Sequence, residues 1–239
     1  MAQLASDFAE IHDVCRHRDI AVISSDGKQG LSVHLITGLS MPTPLVLASG
    51  SEVRRTLLER SGLDFEVVSP RVDEAAIRDS LLSEGASPRD IADALAEAKA
   101  RRVAAKLPGA LVIGCDQVLD FKGSLLSKPT SPQDARAQLA EMSGQRHSLL
   151  SAAVIYEDAR PVWRHVGQVR MQMRVLSDGF IEGYVERNWE SIRHSVGGYK
   201  LEEEGVRLFS RVDGSYFDVL GLPLLELLAY LGLRGEIET

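Results

Sequence analysis

A chain of 239 residues that is 44% hydrophobic and 26% charged can bury one sizeable core or two tightly joined lobes. Its formal charge of −7 argues against a protein that coats nucleic acid, which carries a basic excess or stripe. Cys15 and Cys115 lie too far apart for a disulfide framework or thiolate zinc cluster, and no apolar run suits a membrane span. The start lacks a basic-then-apolar signal, so the expectation is a cytoplasmic protein with no membrane or nucleic-acid partner.

Residues 1–43 read differently from the remainder of the chain. Phe8, Ile11 and Val14 have a weak helical spacing, and the stretch through Ser24-Ser25-Asp26-Gly27 is turn-rich. Met41-Pro42-Thr43-Pro44 then disfavours helix before Leu45. Residues 1–43 are expected to lie outside the core fold, with Met41 a candidate initiator, and residues 44–239 to form the working domain.

From Leu45 onward strand and helix periods alternate. Leu45–Ala48 and Leu111–Cys115 are short runs, apolar on both faces, as strands inside a sheet are. Ser51 is placed to cap a helix through Arg60, ended by Gly62. Phe65–Val68 reads as a short strand. Ser87-Pro88 opens a long helix, and Ser131-Pro132 opens another that stops at Gly144. His147–Tyr156 and Val166–Val175 read as long strands, and Ser177-Asp178 begins a helix bearing Ile181, Tyr184 and Val185. A strand at Val206–Arg211, a turn at Asp213-Gly214 and a helix from Pro223 close the chain. The alternation predicts an α/β fold with a mixed, long and curved sheet.

Two stations could carry chemistry, because ligand crevices in open α/β sheets lie at the carboxyl ends of strands. At Ser49-Gly50-Ser51-Glu52-Val53-Arg54-Arg55 a strand gives way at once to a helix, whose free N–H groups suit an anion. Arg54 near that start opposes the helix dipole, a conflict that a bound anion would relieve. The plain alternative is a serine cap with two solvated arginines. At Gly114-Cys115-Asp116-Gln117 a carboxylate emerges from an apolar strand and must meet a cation, a metal or a set of donors. Cys115 reads as a small core residue, since no His or basic neighbour activates it. Lys128, Lys99, Asp73-Glu74 and the glycine-bordered acidic run 197–205 could each be ordinary surface features. Walker, Rossmann and G-x-S-x-G signatures are missing from the sequence.

Taken together, these stations resemble the Maf family of nucleotide pyrophosphatases from about Leu45 to Leu228. The motifs are L-A-S-G-S-x-x-R-R at 47–55, V-D-E at 72–74, A-x-A-K-A at 96–100, I-G-C-D-Q-V at 113–118 and S-K-P at 127–129. S-G-Q-R-H at 143–147, G-G-Y at 197–199 and D-G-S-Y…V-x-G-L-P-L at 213–224 complete the set. The resemblance implies an elongated structure, often dimeric, with two lobes around a central cleft and a bent mixed sheet flanked by helices; a homodimer is thus one expected partner. It also implies hydrolysis of a nucleoside triphosphate between the α and β phosphates. Asp116 falls at the catalytic acid/base position. Ser49, Ser51, Arg54, Lys99 and Lys128 fall at phosphate-holding positions, and Glu74 with Asp116 would hold Mg²⁺ or Mn²⁺.

The resemblance also speaks to the base. Members preferring ordinary pyrimidine nucleotides tend to carry D-T and a late Gln, whereas the branch resembling 7-methyl-GTP pyrophosphatase carries D-Q and Glu. This chain has Asp116-Gln117 and, by the G-Y-K-L-E match, Glu202. At 52 and 53 it has Glu and Val where that branch usually has Pro and Trp, so Val53 removes a cation–π contribution of ~1 kcal/mol. The expected activity is pyrophosphate release from modified nucleotides such as 7-methyl-GTP. The alternatives are a dTTP/UTP enzyme or a septum-linked regulatory nucleotide binder with weak turnover.

Overall fold

The computed structural model describes residues 20–24, 32–36 and 43–238. The chain divides into two units, Met1–Thr43 and Pro44–Thr239. In the first, β1 (Ile20–Ser24) pairs antiparallel with β2 (Ser32–Ile36), Ile20 opposite Ile36; the sequence pattern assigns no strands there. The helical spacing at Phe8, Ile11 and Val14 lies outside the described residues.

The second unit is built on a seven-stranded mixed sheet in the order β4-β3-β5-β7-β8-β9, with β6 paired to the end of β5. Its strands are β3 (Leu45–Ala48), β4 (Glu66–Val67), β5 (Leu111–Phe121), β6 (Ser124–Leu126), β7 (Arg146–Glu157), β8 (Arg160–Met173) and β9 (Phe209–Asp213). β3 runs parallel to both β4 and β5, and the remaining pairs are antiparallel. Parallel neighbours need crossovers, and helices supply them. These are α1 (Glu52–Arg60), α2 (Glu74–Ser83) and α3 (Pro88–Ala104); α4 (Pro132–Met142), α5 (Asp178–Ile192), α6 (Tyr216–Val219) and α7 (Leu224–Leu233) come later in the chain. Register shifts at Ile155/Tyr156 and Gln172/Met173 bend the longest strands. The mixed, helix-flanked α/β sheet agrees with the sequence expectation.

Three apolar clusters fill it. One lies between α3 and the face of β5 bearing Val112 and Val118. Another covers the opposite face, where Ile113 and Cys115 meet Leu57, Leu58 and the leucines of α7. The third joins α4, α5 and the far ends of β7 and β8. The long strands thus serve two halves of the unit.

Several local expectations are corrected. β5 does not end at Cys115 but continues through Asp116 to Phe121, because Val118, Leu119 and Phe121 resume the buried pattern. β8 begins at Arg160 rather than Val166. Residues Glu204–Leu208 form a 3₁₀ turn, so the late strand starts only at Phe209. Helix α2 was not anticipated, since it buries no residue completely and leaves little apolar periodicity to read.

The approach of α3 to β5 fixes the centre of the molecule. Alternate residues 112, 114, 116 and 118 face α3, which presents Ala92, Ala96 and Ala100, all fully buried. A Cβ on Gly114 would lie 2.2 Å from the Ala96 carbonyl oxygen and 2.5 Å from the Ala100 amide nitrogen. Both obstacles are backbone and cannot rotate away. Gly114→Ala is expected to cost about 1–3 kcal/mol through overpacking, measured as a lowered denaturation midpoint at unchanged slope.

Candidate active site

The turn after β3 organises itself before any ligand is considered. The Ser51 amide donates to Ser49 Oγ at 3.2 Å, and Ser51 Oγ caps α1 by accepting the Arg54 amide at 3.4 Å. Arg54 then turns inward. Its Nε donates to the Gly221 carbonyl at 2.8 Å, and its Nη1 donates to the Cys115 carbonyl at 3.0 Å and Ser49 Oγ at 3.4 Å. Three neutral oxygens therefore receive the cation that opposes the dipole at this helix start. Nη2 makes no bond among the described residues and remains able to donate. Arg55 points outward to Glu59 at 2.7 Å.

On the other side of β5, Lys99 Nζ lies 2.6 Å from Asp116 Oδ1 and 3.0 Å from Glu74 Oε1. Lys99 and Asp116 are each 6% exposed. Lys99 comes from the face of α3 that packs on Gly114, and Glu74 from the first turn of α2, which Asp73 caps through the Ala76 amide. Burial raises the proton affinity of Asp116 above that of an ordinary carboxylate; Lys99 and Arg54 oppose the rise, and Glu74 adds to it. Cys115 is sealed in the core, and burial pushes its thiol up to about 11, so it is no nucleophile at neutral pH.

The group therefore brings together Ser49, Ser51, Arg54, Lys99, Glu74 and Asp116. Val53, on α1, is half-buried. Gln117 lies beside Asp116 but faces the other way: its Nε2 donates to Ser151 Oγ at 2.9 Å, the Asp218 carbonyl at 2.9 Å and the Val219 carbonyl at 3.0 Å. The two carbonyls can only accept, which fixes the amide orientation and leaves Oε1 as the atom Gln117 can offer. Lys128 is exposed after β6 and makes no bond to the group among the described residues. Glu202 is also exposed. Of its two neighbours, Glu203 is held by Ser191 and Lys200, and Glu204 by Arg187, Asn188 and Arg207. Glu202 has no such partner among the described residues. A separate hollow of about 360 Å³, lined by Arg136, Asp178, Glu182 and neighbours on α4 and α5, shares no residue with the group.

Sequence reasoning missed the oxygens that hold Arg54. Gly221 reads as a simple entry to α7, and a backbone carbonyl leaves no residue-type signal. It also missed Ser151 and Asp218. Ser151 Oγ donates to the Asp218 carbonyl at 2.6 Å, while the Asp218 side chain is buried against Gly167 with Oδ1 unpartnered. No set of three or more His, Cys, Asp or Glu side chains among the described residues could enclose a metal. Glu74 and Asp116 are two carboxylates at one place, which suits a Mg²⁺ or Mn²⁺ that takes its other ligands from phosphates and water.

A family model described as "Maf-like protein" matches residues 44–233. A Ruegeria pomeroyi protein named nucleoside triphosphate pyrophosphatase is 66% identical over 199 residues, covering 83% of this chain and all of that protein. A Caulobacter vibrioides protein of the same name is 50% identical over 195 residues, covering 82% of this chain and 98% of the relative. A Mesorhizobium japonicum protein named 7-methyl-GTP pyrophosphatase is 45% identical over 198 residues, covering 83% of this chain and all of that protein.

Burial pushes the Asp218 carboxyl up to about 6, with Glu226 adding to the rise. A raised acid favours folding most below its ordinary value of 3.8, and that contribution is lost as pH rises through about 6. Asp218→Asn is therefore expected to gain stability relative to the parent between pH 4 and pH 8, by about 3 kcal/mol at most. Urea titrations at the two pH values would measure it; an equal difference at both would refute the buried-acid account.

Proposed function

The chain belongs to the Maf family, and on that premise we propose that it is a nucleoside triphosphate pyrophosphatase. It is a hydrolase of acid anhydrides that separates the α and β phosphates to give a nucleoside monophosphate and pyrophosphate, with residues 44–239 as the working domain. One observation carries the reading: a buried carboxylate, Asp116, held 2.6 Å from a buried ammonium beside a serine-rich helix start.

The chemistry derives from that arrangement. Asp116 accepts a proton as a water oxygen bonds to phosphorus, and the bridging oxygen leaves with pyrophosphate. Its raised proton affinity makes it a stronger base than an exposed carboxylate, and Lys99 opposes part of that rise. Arg54 Nη2, the amides at the start of α1, Ser49, Ser51 and Lys99 offset charge on the phosphate oxygens, and the exposed Lys128 would add to them only if it turned toward bound phosphate. A Mg²⁺ or Mn²⁺ ion held by Glu74 and Asp116 would, when bound, neutralise further phosphate charge and polarise a ligated water.

For the base we propose 7-methyl-GTP or a similar cationic purine. Gln117 is left with its carbonyl oxygen, and Glu202 is the carboxylate of its acidic run without a partner among the described residues. Both would act as acceptors, which suits a base edge presenting N1–H and N2–H donors and a positive ring. The 45%-identical relative's name favours the same base. Val53, which cannot stack as Trp would, favours a second reading in which the chemistry is kept and the base is a pyrimidine.

Pyrophosphate release from 7-methyl-GTP, GTP, dTTP, UTP and CTP with Mg²⁺ or Mn²⁺ separates these readings. Faster turnover of dTTP or UTP would reject the cationic purine, and no turnover of any nucleotide would reject the hydrolase. Asp116→Asn is expected to lose about 10²–10⁴-fold in turnover while still folding cooperatively. Because the carboxylate form is required, the parent's rate should fall with pH along a limb lying above 3.8. Glu202→Gln is expected to narrow the preference for 7-methyl-GTP over GTP; an unchanged ratio would clear Glu202 of that task.

A further inference from the structure

The two carboxylates assigned to the metal are already bridged. Lys99 Nζ sits 3.0 Å from Glu74 Oε1 and 2.6 Å from Asp116 Oδ1, so one ammonium satisfies an oxygen of each. Lys99 is almost fully enclosed, being 6% exposed, and it reaches this point from a helix locked to β5 at Gly114. A divalent cation placed against the same two oxygens would lie within a few ångströms of that ammonium, and the two like charges would repel. No third carboxylate, His or Cys among the described residues joins Glu74 and Asp116 to strengthen a metal cage. What could draw Lys99 away is a polyanion, because the start of α1 offers amides to phosphate and Arg54, gripping the Cys115 carbonyl next to Asp116, brings a second cation to the same stretch.

We infer that in the free protein Lys99 holds the position between Glu74 and Asp116 that a divalent cation takes during turnover, so the metal enters with the triphosphate and not before it. Triphosphate oxygens receive the ammonium, and Glu74 and Asp116, so released, would hold the metal beside the phosphates it would help to neutralise. The ion pair also anchors the Asp116 side chain until substrate arrives. This inference rests on the pyrophosphatase reading above.

The test reads metal binding apart from catalysis. Mn²⁺ is titrated into the free protein and into Lys99→Gln, following the electron paramagnetic resonance signal of unbound Mn²⁺. The expected result is weak binding by the parent and binding at least ten-fold tighter by Lys99→Gln. Equal binding by the two folded proteins would overturn the inference. Should Lys99→Gln fail to fold, the parent alone decides through its melting temperature. It is measured with Mn²⁺ alone, and with Mn²⁺ plus the α,β-methylene analogue of the triphosphate hydrolysed fastest. The expected result is no shift from Mn²⁺ alone and a clear rise with both. A rise from Mn²⁺ alone equal to that with both would overturn the inference while leaving the hydrolase intact. A protein that neither hydrolyses nor binds any triphosphate would remove the hydrolase reading and this inference with it.

Discussion

The structure is organised around one electrostatic constraint, a carboxylate buried in the middle of a sheet. Asp116 sits in an eleven-residue strand, buried on its own face between Gly114 and Val118. Left alone, such a group would cost several kcal/mol in lost hydration. Lys99 supplies the countercharge, which requires α3 to lie close enough for a side chain starting beside Ala100 to reach the strand. Gly114 and the alanines of α3 permit that approach. Glu74 then closes the charge arrangement from α2. Packing and electrostatics are therefore not separable here, since widening the α3–β5 spacing would also pull the ammonium from its partner.

A second cation acts on the same short stretch from a different direction. Arg54 grips the carbonyl of Cys115, the residue next to Asp116, and reaches the carbonyl of Gly221 as well. It ties together the turn after β3, the centre of β5 and the entry to α7, which are remote in sequence. Bonds from a charged donor to buried carbonyls are stronger than neutral ones, so this clamp stiffens the stretch where chemistry is proposed. Lys99 neutralises while Arg54 fixes the backbone.

Much of the fold was legible because its signals are local. Ser51, Ser87, Ser131 and Ser177 each cap the helix that the sequence assigned to them, and the buried strands announce themselves as apolar runs. What stayed illegible is what depends on distant partners. The continuation of β5 past Asp116 was hidden because a charged residue looks like a strand end until Lys99 is in place. Helix α2 was hidden because it buries too little to leave a periodic mark. The inward turn of Arg54 was hidden because its acceptors are mostly main-chain oxygens. Motif order suggested which side chains to watch, but it did not show that Lys99 would bridge two of them or that Gln117 would spend its amide hydrogens on the α6 segment.

These differences in burial bear on how such an enzyme can change. The residues proposed for the chemistry are mostly enclosed and mutually bonded, so altering one leaves a buried partner exposed to the full desolvation penalty. Those proposed to choose the base are differently placed: Glu202 is exposed, Val53 is half-buried, and only Gln117 is bound into the interior, through one end of its amide. Substitution at the first two removes few contacts made by the protein itself. If those proposed roles hold, selection on substrate can act on Glu202 and Val53 at little structural cost, while Asp116, Lys99 and Arg54 are held by the fold whatever their part in the proposed reaction.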